Sequence, residues 1–131
     1  MSDKQSSVSE FKSKSGVKRI FMALFYSIDG LRTAWRSEHA FRQELALLVL
    51  GVVLAFLLPV SGRERLALIG VLVLVLIVEL LNSAIEAVVD RISLERHPLS
   101  KNAKDFGSAA VLLAMLLAGA VWAVILWPLV G

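Results

Sequence analysis

The sequence predicts an all-α membrane protein, with one N-terminal amphipathic surface helix followed by three transmembrane helices. Three observations carry this expectation. The 131-residue chain is 57% hydrophobic with a mean hydropathy of +0.75, whereas an ordinary soluble domain is about 45–50% apolar. A chain of this size has too much surface to hide such an excess from water. The apolar residues also fall in blocks of membrane length. Residues 45–61 and 106–131 carry no charge over 17 and 26 positions, and residues 66–88 carry only Glu79 and Glu86 over 23. About 20 residues of helix at roughly 1.5 Å rise cross the hydrocarbon core. Lysine and arginine, finally, cluster between these blocks rather than within them. A soluble globular enzyme is excluded, and the length allows one domain.

Residues 1–15, rich in Ser and Lys, read as a polar flexible tail, without the apolar core and small-residue cleavage site of a signal peptide. The membrane-embedded domain then covers residues 16–131. Its surface helix, about 16–36, places Val17, Ile20, Phe21, Leu24, Ile28, Leu31 and Trp35 on one stripe by their spacings of three, four and seven. Lys18, Arg19, Asp29, Arg32 and Arg36 fall on other faces, the pattern of a helix lying in the interface. A plain peripheral anchor would use the same pattern.

Ser37 reads as the N-cap of the first span, about 38–59, with Glu38 suited to a helix start. Pro59 and the turn chemistry of Pro-Val-Ser-Gly close that span. The second runs over about 64–92. His97-Pro98 breaks the chain, since the residue before proline disfavours helix, and Ser100 is a candidate cap for the third span, about 100–129. That span places Ala110, Ala114 and Ala118 at four-residue intervals with Gly107 and Gly119 nearby, which favours close helix packing.

Counting Lys and Arg orients the spans. Eight lie at or before Arg42, two between the first and second spans, four between the second and third, and none after Lys104. The positive-inside rule puts the N-terminus and the second connection in the cytoplasm and the C-terminus on the outer side of the membrane. The net charge of +3 is too small and scattered to imply nucleic acid. The absence of cysteine excludes disulfides, thiolate metal sites and cysteine nucleophiles.

The chemistry concentrates in the second span. Glu79, Asn82, Ser83, Glu86 and Asp90 stand at i, i+3, i+4, i+7 and i+11, one polar stripe on an otherwise apolar helix. A charge at the bilayer centre costs at least about 2.5 kcal/mol. Two carboxylates therefore need a partner helix, a cation or a water-filled site, whereas Ser or Asn would serve for simple helix adhesion. Glu79, the deepest, suits a general base or proton carrier. Glu86 and Asp90 lie nearer the interface, where divalent cations and soluble substrates arrive. Lys101, Lys104, Asp105 and Ser108 share a face at the start of the third span, and two ammonium groups there can meet phosphate. A pair of snorkelling lysines is the plainer use. Carboxylates and lysines at one interface match the needs of Mg²⁺ and a polyphosphate, although no Walker A or protein-kinase motif is present. His39 and His97 lack metal-ligand spacing.

These residues resemble the prokaryotic diacylglycerol kinase family, small integral-membrane lipid kinases. The likeness is carried by Ala40-Phe41-Arg42-Gln43-Glu44 and, more specifically, by Val78-Glu79-Leu80-Leu81-Asn82-Ser83-Ala84-Ile85-Glu86-Ala87-Val88-Val89-Asp90-Arg91. It continues through Glu95, His97, Leu99, Ala103-Lys104-Asp105 and Gly107-Ser108-Ala109-Ala110. Upstream it includes Gly30-Leu31-Arg32, Ala34-Trp35 and Glu38.

The resemblance implies a homotrimeric helical bundle with active sites shared between subunits, and ATP-dependent phosphorylation of a lipid hydroxyl. It implies Glu79 as the general base with Asn82 in support, and Glu38 and Glu86 as ligands of Mg²⁺. Arg19, Tyr26, Glu38, Glu86, Glu95, His97, Lys104 and Asp105 would hold ATP. Arg32, Trp35, Phe41, Arg42, Gln43, Glu44, Glu79, Ser108 and Trp122 would meet the lipid, diacylglycerol. Asp29 and Ile28 depart from the family pattern, which has Lys and Trp there in a familiar member. A subunit of three spans has few faces with which to cover a polar stripe, an independent reason to oligomerise. Two other activities suit parts of the sequence: phosphorylation of undecaprenol by the same machinery, and proton or cation translocation with Glu79 as carrier. The second leaves the Lys104-Asp105 pair and the surface helix without a use.

Overall fold

The computed structural model describes residues 16–131, and the tail expected over residues 1–15 lies outside them. The described residues form four helices, α1 Gly16–Ser37, α2 His39–Leu57, α3 Gly62–Ile92 and α4 Pro98–Val130. The chain divides into two units at Ser37, with α1 in the first and α2, α3 and α4 in the second.

Helix α1 is amphipathic, as its apolar stripe requires, and Val17, Ile20, Phe21, Leu24 and Trp35 are all exposed. Ser37 does not cap the next helix. It is the last residue of α1, and its hydroxyl donates to the Thr33 carbonyl at 2.7 Å. The cap position of α2 falls to Glu38, whose backbone is extended and whose side chain makes no capping bond.

Helices α2, α3 and α4 are each long and apolar enough to cross a membrane. Helix α2 ends at Leu57, earlier than Pro59 alone suggests, because Leu58 precedes the proline and adopts the extended backbone such a position prefers. Helix α3 begins at Gly62 through a capping box. The Ser61 hydroxyl accepts from the Glu64 amide at 3.1 Å, and the Glu64 carboxylate accepts from the Ser61 amide at 3.0 Å. Arg65 fastens the same turn. Its Nε donates to the Ala55 carbonyl at 2.9 Å, satisfying one of the orphan acceptors at the α2 C-terminus, and its guanidinium lies 5.0 Å from the Phe56 ring centre.

The start of α4 differs from expectation. Ser100 is inside the helix, and the cap is His97, whose Nδ1 accepts from the Leu99 amide at 3.1 Å. Pro98 occupies the first helical position, where its missing N–H costs nothing.

Helix α3 is the middle element, packed on α2 and on α4. Leu72 and Val75 of α3 meet Ala114 and Ala118 of α4 in the core, flanked by Leu48, Val71, Val78 and Trp122. The small residues of α4 thus serve close approach at Ala114 and Ala118, while Ala110 and Gly119 stay exposed. The Trp122 indole donates to the Leu68 carbonyl at 3.0 Å. Gly51 of α2 has no room for a side chain, because a β-carbon there would run into Leu72 and come within 3.3 Å of the Trp122 ring.

Lengths decide what leaves the hydrocarbon. The 19 residues of α2 span about 28 Å, close to the core thickness, at about 1.5 Å per residue. Helices α3 and α4, with 31 and 33 residues, overshoot it by some ten residues each. Because α2 and α3 are joined by residues 58–61 alone, the excess of α3 projects at the end that carries Glu86 and Asp90.

Candidate active site

Three polar or charged side chains are buried among the described residues, and all belong to one cluster: Glu44 at 6% exposure, Glu79 at 5% and Asn82 at 8%. Glu44 comes from α2 and Glu79 from α3, and both are buried where these helices pack. The helical spacing of Glu79, Asn82 and Glu86 puts all three on the face of α3 that its neighbours cover.

Asn82 links the deep and shallow parts of this stripe. Its Nδ2 donates to Glu86 Oε1 at 3.3 Å, while its Oδ1 is buried without a hydrogen-bond partner. That oxygen lies against Gly107 of α4, where a β-carbon would collide with it. Glu44 Oε2 is likewise buried and unpartnered.

Above the cluster, where α3 and α4 project, the chain break at 93–97 forms a cleft of about 750 Å³. Its walls include Asp90, Glu95, Arg96, His97, Lys101, Lys104 and Asp105. Lys104 Nζ is 2.8 Å from Asp90 Oδ1, which joins the two helices. Lys101 Nζ is 2.6 Å from Asp105 Oδ2 on its own helix. Oxygen donors and ammonium groups at one rim suit a polyphosphate carrying a hard cation.

The residues expected at a site thus fall into several places. Glu44, Glu79 and Asn82 are buried, with the half-buried Glu86 bonded to Asn82, and Glu95, His97, Lys104 and Asp105 come together at the cleft. Phe41 is buried, and Arg42 and Gln43 each approach the His39 ring at 3.3 Å. Ser108 is exposed on α4. Trp122 sits apart from the cluster, since its partner Leu68 is about 16 Å from Glu79 along α3 at about 1.5 Å per residue. Arg19, Tyr26, Arg32 and Trp35 are exposed on α1, where Arg32 pairs with Asp29 at 4.0 Å. No group of three or more His, Asp or Glu among the described residues is arranged to hold a metal on its own.

Two contacts lie beyond sequence reasoning. Gly107 stands among the small residues and opens the motif Gly107-Ser108-Ala109-Ala110, but its distinction is the amide it faces. Asp90 stands on the polar stripe, but nothing in the sequence pairs it with Lys104.

A family model described as prokaryotic diacylglycerol kinase matches residues 25–126. A protein of Pseudomonas aeruginosa named diacylglycerol kinase is 58% identical over 120 residues, 92% of this chain and 98% of the relative. A protein of the same name from Escherichia coli strain K12 is 53% identical over 117 residues, 89% of this chain and 96% of its own. One from Helicobacter pylori is 47% identical over 107 residues, covering 82% and 84%.

Proposed function

The chain belongs to the prokaryotic diacylglycerol kinase family, and from that premise we propose that it phosphorylates diacylglycerol with ATP, giving phosphatidic acid and ADP. The observation that carries the site assignment is the buried Glu79 on a stripe that leads through Asn82 and Glu86 to a lysine-lined cleft.

In this reading Glu79 takes the proton of the lipid hydroxyl as that oxygen attacks the terminal phosphorus. Its depth suits an alcohol that stays in the bilayer, while the cleft lies where a soluble nucleotide arrives. Lys104 offsets the charge that spreads over the transferred phosphoryl oxygens, the largest contribution a protein makes to such a transfer. Asn82 holds Glu86 in place through its amide. Arg19, Tyr26, Glu95, His97 and Asp105 complete the nucleotide site, and Arg32, Trp35, Phe41, Arg42, Gln43, Glu44, Ser108 and Trp122 line the lipid path.

Glu38 and Glu86 fit Mg²⁺, which is bound through one or two carboxylates together with substrate phosphates rather than by an all-protein cage. When bound there, the ion would supply positive charge against the phosphates of the nucleotide.

The domain proper is residues 16–131, embedded in the bacterial inner membrane with the cleft facing the cytoplasm and the C-terminus the periplasm, as the distribution of Lys and Arg supports. Three copies would surround the polar stripes and complete each site. Exposure of large apolar side chains along α2 and α4, such as Val49, Phe56, Leu112 and Leu116, supports contact with lipid or with other copies.

The test is release of ADP by detergent-purified protein given Mg²⁺, ATP and dioleoylglycerol. Release that needs all three supports the reading. Release with undecaprenol in place of dioleoylglycerol moves the substrate to a polyprenol, and proton flux in liposomes without ATP replaces the kinase reading altogether.

A further inference from the structure

The projecting ends of α3 and α4 are tied by one ion pair. Lys104 Nζ donates to Asp90 Oδ1 at 2.8 Å, across 14 positions of sequence and the break at 93–97. Both side chains line the cleft, and each is about half exposed. Lys101 offers a contrast in the same cleft, because its partner Asp105 is one turn away on the same helix and fixes nothing between elements.

A lysine ammonium sits on a flexible four-carbon stem and carries three protons. Asp90 engages one of them, which leaves two for oxygen atoms of a ligand in the cleft. A lysine without such a contact would have to lose the freedom of its stem when the ligand arrives, and that ordering weakens binding. The pair at Asp90 removes this cost in advance and fixes the ammonium on the wall formed by α4. Asp90 is poorly suited to touch phosphate itself, since like charges repel, so its use lies in what it does to Lys104. The cleft carries three acids, Asp90, Glu95 and Asp105, against three bases, Arg96, Lys101 and Lys104. With no excess of positive charge, affinity for a polyphosphate has to come from where each ammonium stands.

We propose that Asp90 is a positioning residue for the nucleotide, holding the Lys104 ammonium in the cleft with two of its protons free for phosphate oxygens. The inference rests on the reading of the cleft as the nucleotide site.

The experiment is a calorimetric titration of the full-length protein in detergent with a non-hydrolysable ATP analogue and Mg²⁺. It compares wild type, Asp90→Asn, Lys104→Gln and the double variant, each with its thermal unfolding midpoint. Asp90→Asn should bind about tenfold more weakly, the equivalent of one charge-assisted hydrogen bond, with the unfolding midpoint unchanged. In the Lys104→Gln background the same substitution should cost nothing further, which a merely structural role would not produce. Full affinity in Asp90→Asn, or losses that add in the double variant, would overturn the proposal and leave the kinase reading standing. Failure of the folded wild type to bind the analogue would overturn both. If Asp90→Asn does not fold, Asp90→Ser takes its place with the same outcomes.

Discussion

Gly107 of α4 lies against the side-chain amide of Asn82 on α3 so closely that a β-carbon at position 107 would occupy the place of the amide oxygen. The same amide donates through its nitrogen to Glu86. A backbone position on one helix therefore controls the aim of a carboxylate on another. Gly107→Ala should push Asn82 aside and break its bond to Glu86. Overpacking of this kind costs about 1–3 kcal/mol. Activity should fall by more than tenfold, the equivalent of about 1.4 kcal/mol in the barrier, and should fall at saturating lipid as well. Lipid-saturated turnover and the unfolding midpoint of the variant check both parts.

Glu79→Gln removes the proton acceptor and preserves the shape of the side chain. Turnover should disappear, because a neutral amide cannot take the hydroxyl proton, while the Mg²⁺–nucleotide complex should still bind in a calorimetric titration. Near-normal turnover would remove Glu79 from the role of base.

Glu38→Gln and Glu86→Gln should each weaken binding of the Mg²⁺–nucleotide complex and raise the Mg²⁺ concentration needed for half-maximal rate. Removing one of two carboxylates from a hard-cation site loses both charge and a ligand oxygen. A Mg²⁺ titration of the initial rate tests this, and an unchanged curve would show that the residue is not a ligand.

Gly51→Ala places a methyl group against Leu72 and the Trp122 ring. It should destabilise the bundle by about 1–3 kcal/mol while leaving the turnover of the folded fraction near wild type, since Gly51 packs on Leu72 and the Trp122 ring rather than on Glu79. Comparing the unfolding midpoint with the turnover per folded molecule separates the two effects.

The comparison of Gly51 and Gly107 also marks how far the sequence alone carries. Three long apolar helices, the amphipathic N-terminal helix and the stripe through Glu79, Asn82 and Glu86 are legible because period and apolarity are local properties. Helix caps were less so. Ser37 and Ser100 have the right chemistry for caps, yet Glu38 and His97 hold those positions because only the backbone path decides which residue leaves the helix. The box at Ser61 and Glu64 was missed for the same reason, hidden in what reads as a turn. Contacts between helices were least accessible. Lys104 with Asp90, Trp122 with the Leu68 carbonyl, and Gly107 with Asn82 each depend on rotation and register between packed helices, which no single segment encodes.

The turn between α2 and α3 is fastened from within. Arg65 reaches Ala55 and Val60, and Ser61 and Glu64 close on each other, so every one of these fastenings lies between residues 55 and 65. Such a turn closes on itself without any residue of α4. Asn82 and Leu68, by contrast, meet Gly107 and Trp122 of the last helix. The α2–α3 turn is thus self-contained, whereas the polar face of α3 at Asn82 is closed only by a segment some 25 residues further along the chain.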